Sequence, residues 1–159
     1  MDILNTVRPF DAATHRMAET FADTPDPERN RIVRTWGVVP IPLDEVKAAH
    51  KAAATDLRWR KETGGIVIAG VPVATDDRSK TLILGKRAQA QADPAMAFRW
   101  KAASADWVDL TGAQIIAIAD AVADHVQACF DREGDLHDAI DGAETAEAVL
   151  AVDIAAGWP

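Results

Sequence analysis

At 159 residues, 48% hydrophobic and 26% charged, the chain has the make-up of one ordinary globular domain or two small ones, which excludes disordered and collagen-like classes. A single cysteine, Cys129, allows no internal disulfide, four scattered histidines form no zinc-finger spacing, and the longest uncharged stretch near the middle, Thr63 to Thr75, has 13 residues with three glycines and a proline; a stapled secreted scaffold and a membrane-inserted protein are excluded. The net charge of −8 is uneven, with 10 basic and 10 acidic groups in residues 1–62, 6 and 5 in 63–110, and 1 and 10 in 111–159, so the acidic last third argues against a nucleic-acid partner.

The opening Met1-Asp2-Ile3-Leu4-Asn5 lacks a basic segment followed by an apolar run, so no secretory signal is visible and synthesis in a cytoplasm is expected. Five of the eight prolines fall in the first 42 residues, and Thr24-Pro25-Asp26-Pro27-Glu28 reads as a turn or extended linker. Arg31 to Val39 is β-branched and aromatic, as a strand requires, and a further short strand is expected near Thr6 to Phe10 or Arg16 to Phe21. Residues 1–42 are thus a small β-rich N-terminal arm or docking segment.

Leu43 to Lys61 predicts a helix, with Asp44 and Glu45 suited to its N-terminal dipole and a narrow stripe of Leu43, Val46, His50, Ala53 and Leu57. Two heptads are too few for a coiled coil, so residues 43–62 form an amphipathic connector. Gly64-Gly65 stops it, and Ile66 to Thr75 predicts a hairpin turning at Ala69-Gly70, with Pro72 marking an edge strand. Asp76 or Asp77 caps a helix running to Ala92, with Leu82, Ile83 and Leu84 as its apolar positions. A second hairpin joins Ala97–Lys101 to Asp106–Leu110 through Ala102 to Ala105, with Trp100 and Trp107 read as core aromatics on facing strands.

The strongest local signal is Thr111-Gly112-Ala113-Gln114, a capping box whose flanking Leu110 and Ile115 form a hydrophobic staple. The helix over 111–133 carries a stripe of Ile115, Ile118, Val122, Val126, Cys129 and Phe130, and turns Asp120, Asp124, Asp131 and Glu133 toward water. Gly134 is a position for a kink or an end, Leu136 and Ile140 continue the stripe, and a short helix spans Thr145 to Val152. Together these predict an α+β fold: a β-rich arm, a connecting helix, then a hairpin-helix-hairpin-helix domain over residues 63–159 with short C-terminal helices.

Chemistry is sparse. His125 and Cys129, at i and i+4, offer two soft ligands, but no neighbouring motif supplies a third and fourth. Cys129 sits in an apolar stripe among acidic neighbours, the setting of an inert thiol. Asp76-Asp77 and Asp120 with Asp124 are carboxylate pairs that capping and solvation explain more simply than acid-base catalysis. Gly64-Gly65 precedes a strand and lacks a following Gly-Lys-Ser/Thr, and neither Gly-x-Ser-x-Gly nor His-Glu-x-x-His occurs. No catalytic, cofactor-binding or metal-ligating residue is assigned, no cofactor is expected, and the chain is read as a non-enzyme.

Several stretches nevertheless form a recognisable series: Gly64-Gly65-Ile66-Val67-Ile68-Ala69-Gly70-Val71-Pro72-Val73-Ala74-Thr75-Asp76-Asp77, Phe98-Arg99-Trp100-Lys101, Trp107 to Ala119, His125 to Phe130, and Asp153 to Pro159. From about Asp56 onward, roughly two-thirds of the chain, the sequence resembles an uncharacterised domain family found near the C termini of tail and tail-fibre-associated proteins of tailed bacteriophages and prophages. Asp11 to His15 and Arg34 to Pro40 are similar to the leading segment of many such proteins, and the Trp158-Pro159 ending is similar to that of tail-fibre assembly proteins. Gly134 departs from the pattern, in a helix usually richer there in alanine or acidic residues. The resemblance implies a role by protein-protein contact: a structural component of the tail tip, baseplate or tail fibre, located in the virion after synthesis in the host cytoplasm. Its partners would be other phage tail or fibre proteins, with homo-oligomerisation as a further option. A tail-fibre assembly chaperone is the alternative, and a small hydrolase or metal-dependent enzyme the third.

Overall fold

The computed structural model of the chain describes residues 2–102 and 104–159. Its elements follow the expected α+β order: β1 (Asp2–Val7), β2 (His15–Asp26), a 3-10 turn (Pro27–Arg29), β3 (Arg31–Pro40), α1 (Leu43–Thr63), β4 (Ile66–Ile68), β5 (Val71–Val73), α2 (Asp77–Ala92), β6 (Ala97–Lys101), β7 (Trp107–Thr111), α3 (Gly112–Gly142) and α4 (Ala146–Leu150). The chain forms two compact units, one of Met1–Lys51 with Ala139–Val152 and the other of Ala52–Asp138 with Asp153–Pro159. This division runs across the boundaries drawn from the sequence at residues 42 and 62, because α1 and α3 each contribute to both units.

The first unit contains a three-stranded sheet in the order β1-β3-β2. β1 runs parallel to β3, from Asp2 opposite Arg31 to Val7 opposite Trp36, and β2 runs antiparallel to it. Of Thr24 to Glu28, expected as a turn or extended linker, Thr24, Pro25 and Asp26 instead extend β2, whereas Pro27 and Glu28 do turn, within the 3-10 turn that closes a hairpin into β3. Proline is tolerated there because β2 is an edge strand. Asp26 stabilises the turn by accepting from the Arg29 amide at 3.3 Å and from Arg31 Nε at 2.9 Å, and Asn30 closes it at φ 49°, a left-handed conformation that asparagine adopts readily. The register of β2 shifts between Met17 and Phe21. The strands contribute no buried residue; among the described residues the buried positions of this unit are Thr14, Val46, Ile140 and Val149. α4 is capped by the Thr145 hydroxyl, which accepts from the Ala148 amide at 3.1 Å.

In the second unit, α1 departs from its expected stripe. Ala54 is buried and Ala53 exposed, and Glu62 lies on the covered side. The β4–β5 hairpin turns through Ala69 at φ 48° and Gly70 at φ 81°, the two positive φ values of a tight hairpin turn. Asp76 caps α2, yet only Ile83 of its Leu-Ile-Leu run is buried; Leu82 and Leu84 are exposed, since three consecutive helical positions cannot share one face. The β6–β7 hairpin forms as expected, with Ala103 of its loop outside the described residues. Trp100 is partly buried against the core, whereas Trp107 is 60% exposed, paired with Lys101 on the outward face beneath Arg99 and Lys101.

The capping box forms at the start of α3: Thr111 Oγ1 accepts from the Gln114 amide at 3.3 Å, and Gln114 Oε1 accepts from the Thr111 amide at 2.8 Å. A Cβ on Gly112 would stand 2.8 Å from the carbonyl oxygens of Asp93 and Pro94, so only glycine admits this approach of helix and loop. α3 does not end or break at Gly134 but continues as 31 residues to Gly142. One helical glycine costs about 1 kcal/mol, less than the continuing apolar stripe at Leu136 returns. Phe130, expected in the stripe, is exposed beneath the Arg58 guanidinium, 4.3 Å from its ring centre. The core joins Val73, Ile83, Phe98, Leu110, Ile115, Ile118 and Val122, drawn from both hairpins and from α2 and α3. The final residues are fastened by Arg132, whose guanidinium donates to the Ala156 carbonyl at 2.9 and 3.1 Å and to the Asp153 carbonyl at 3.3 Å.

Candidate functional site

The acidic residues singled out from the sequence are separated by their local structure. Asp76 accepts from the Ser79 amide at 3.1 Å and the Ser79 hydroxyl at 2.6 Å, and these bonds hold its carboxyl below the usual carboxylate range. Asp77 pairs with Lys80 at 3.1 Å, Asp120 pairs with Arg87 at 2.7 Å, and Asp124 is exposed on α3. Cap, surface pair and solvated face account for them without a shared substrate position.

His125 and Cys129 do meet, with Nε2 3.8 Å from Sγ, but the same Nε2 lies 3.2 Å from the Lys61 carbonyl, an arrangement suited to donation from the imidazole. Cys129 is fully buried; burial, followed by the charge of Glu62, pushes its thiol up and away from the thiolate a metal or nucleophilic role needs. Among the described residues, no group of three or more His, Cys, Asp or Glu side chains converges as a metal site would require.

A charge network absent from the sequence reading lies nearby. Glu62, 5% exposed, accepts from Arg58 through one carboxylate oxygen and from Lys80 through the other. Arg58 Nε lies 2.7 Å from Glu133 Oε2, and Glu133 Oε1 accepts from the Thr55 hydroxyl. Burial lowers the Lys80 pKa, but hydrogen bonds and charge from Glu62 and Asp77 outweigh that effect, and the net shift is upward. Every carboxylate oxygen of Glu62 and Glu133 has a cationic or hydroxyl partner, so the network fastens α1, α2 and α3 together. The Arg58/Glu62 spacing of four residues was the available sequence signal.

The surface with potential for recognition is the sheet of the first unit. Register places Ile3, Asn5 and Val7 of β1 beside Ile32, Arg34 and Trp36 of β3, which in turn oppose Pro25, Asp23 and Phe21 of β2. Phe21 and Trp36 meet edge to face at 5.0 Å, Arg34 stacks 3.8 Å over Phe21, and Asp23 holds Arg34 in place through a bond of 2.8 Å. Asn5 accepts from Trp36 Nε1 at 3.3 Å. These polar groups orient a largely apolar face on which Ile3 is 50%, Val7 42% and Phe21 46% exposed. The apolar rows Ile3-Ile32-Pro25 and Val7-Trp36-Phe21 lie on either side of the polar row Asn5-Arg34-Asp23, and the exposure of large apolar side chains makes this face the candidate contact surface.

Among the described residues no helix is long and apolar enough to cross a membrane. Searches against curated proteins and solved structures return no significant match. A family model, Domain of unknown function (DUF4376), matches residues 45–156, which takes in most of α1 and everything from β4 to α4. The chain belongs to this DUF4376 family of uncharacterised domains.

Proposed function

We propose that the protein is a structural or interaction component of a bacteriophage tail, at the tail tip, baseplate or tail fibre, and acts by protein-protein contact. The observation that carries a contact role is the β1-β3-β2 sheet, whose strands bury no residue and whose one face gathers Ile3, Val7, Phe21, Ile32 and Trp36. A three-stranded sheet needs an apolar layer against it for full stability. A tail or fibre protein supplying that layer would give the sheet its missing core. The assignment to a phage tail rests on the resemblance of residues from about Asp56 onward to domains of tail-associated proteins, and the virion is then the proposed site of action.

Peptide mass spectrometry of purified virions tests this reading: the chain is expected in fixed stoichiometry with the tail proteins, and its absence would overturn the structural role. The same apolar face favours one second reading, a tail-fibre assembly chaperone that shields a folding partner and is absent from the finished particle. In that case a tail-fibre protein of the same phage is soluble and correctly assembled only when co-expressed with this chain.

A further inference from the structure

The two edges of the three-stranded sheet are guarded unequally. β2 carries Pro25, a register shift between Met17 and Phe21, and charges at Arg16, Glu19, Asp23 and Asp26, all devices that resist addition of another strand. β1 has none of these between its ends. Ile3, Leu4, Asn5, Thr6 and Val7 are uncharged, and all but Thr6 are exposed. A strand edge of this composition is a template for pairing.

The composition of β1 also selects its partner. Asp2 stands at one end of the uncharged run, and Arg8 immediately follows the other. Reversed, the segment presents the opposite charge at each end, so an antiparallel copy complements it. One register satisfies both ends: Ile3 opposite Val7 of the second copy, Leu4 opposite Thr6, Asn5 opposite Asn5 on the two-fold axis, and Asp2 opposite Arg8. Slipping by one residue would put Ile3 and Val7 on the wrong face. Slipping by two would leave the charges unmatched. We propose that β1 pairs antiparallel with β1 of a second copy of this chain, joining two three-stranded sheets into one of six strands with a reciprocal Asp2–Arg8 ion pair at each end of the junction. The odd-numbered residues of both copies then share a face, so the apolar surface of Ile3, Val7, Phe21 and Trp36 continues across the dyad. This pairing does not depend on the assignment to a phage tail.

Sedimentation equilibrium of the full chain over about 1 to 200 μM is expected to reveal a monomer-dimer equilibrium in the micromolar range, fitting for a contact limited to one strand from each copy. Asp2→Arg and Arg8→Asp each place like charges opposite one another at both ends and should weaken the dimer about tenfold. The double variant Asp2→Arg/Arg8→Asp restores opposite charges and should return to near the unmodified affinity. Both side chains are exposed, so far-ultraviolet circular dichroism should be unchanged in all three. Asn5→Cys adds an independent readout, since two copies of this position meet on the axis and should form a disulfide-linked dimer on oxidation, while buried Cys129 remains unreacted. A chain monomeric throughout the range, single reversals that leave the dimer unchanged, a double variant no tighter than the singles, or an Asn5→Cys chain that does not cross-link would each overturn the proposal.

Discussion

Glu62→Gln probes the network that fastens the three helices of the second unit. The substitution preserves volume and removes one charge from a residue 5% exposed. Arg58 keeps Glu133 and Lys80 keeps Asp77, so neither cation is left alone and the 3–5 kcal/mol typical of an abandoned buried charge, an order of magnitude from other proteins, is not reached. Two bonds between ionised partners become at best one bond from a cation to a neutral amide oxygen, with the amide NH2 unable to accept from the other cation, and easier desolvation of the amide offsets part of the loss, leaving about 2 kcal/mol. In urea this corresponds to a midpoint lower by about 1 M at unchanged slope. The Lys80 pKa is raised in the fold, so the stability it contributes is fully present below its unfolded value of 10.5 and disappears as pH rises through the folded value. The deficit of the variant should therefore shrink in strongly alkaline buffer. Because Glu62 also raises the Cys129 thiol pKa, thiolate absorbance in the variant should appear at lower pH. A loss below about 0.5 kcal/mol with an unchanged thiol titration would refute the claim that Glu62 is the centre of the network.

Val122→Asp puts an unpaired carboxylate into the α3 core at a position 5% exposed and should cost several kcal/mol, abolishing the cooperative melt; a stable variant would mean the buried face of α3 is misidentified. Thr111→Ala removes the hydroxyl of the capping box and should cost about 1 kcal/mol in chemical denaturation. Gly112→Ala, one residue on, drives a methyl against two carbonyl oxygens and should cost more, about 1–3 kcal/mol; equal losses would contradict the tight approach. The Asp76 carboxyl, held low by Ser79, stabilises α2 above its unfolded pKa of 3.8 and loses that effect as pH falls through the folded value. Asp76→Asn, which keeps an oxygen acceptor without the charge, should flatten the acid limb of a pH-stability curve. Since the second unit's hydrophobic cluster from Val73 to Val122 takes no residue from positions 1–42, a chain lacking those residues should retain a cooperative calorimetric transition, and its loss would tie that core to the arm.

Local chemistry carried much of the architecture. The Thr111–Gln114 box, the Ala69-Gly70 turn and the Asp76 cap are each specified by residues within a few positions, and each formed where its pattern placed it. The errors arose where distant groups decide. Phe130 fits the apolar period of α3, but Arg58, 72 positions earlier, lies over its ring and substitutes for burial. Gly134 looks like a stop when read alone, yet α3 is covered on both sides of it at Cys129 and Leu136. Glu62 carried no mark of burial, because its compensation comes partly from Lys80 on another helix. Thr24 to Glu28 reads as a turn or extended linker from its two prolines, yet ladder partners Arg31 to Val33 hold Thr24 to Asp26 in the sheet. The exposed apolar face of the sheet was hidden for the same reason: exposed apolar residues in a strand look identical to core until the covering layer is sought.

Arg132 is the one basic residue between positions 111 and 159, and its three bonds end on main-chain carbonyls rather than carboxylates. A main-chain carbonyl is an acceptor with no titratable proton. Acid therefore removes no acceptor from this attachment, and added salt has no paired anion in it to screen. The last seven residues are moored by a contact insensitive to the two variables, acidity and ionic strength, that most alter the rest of this negatively charged surface.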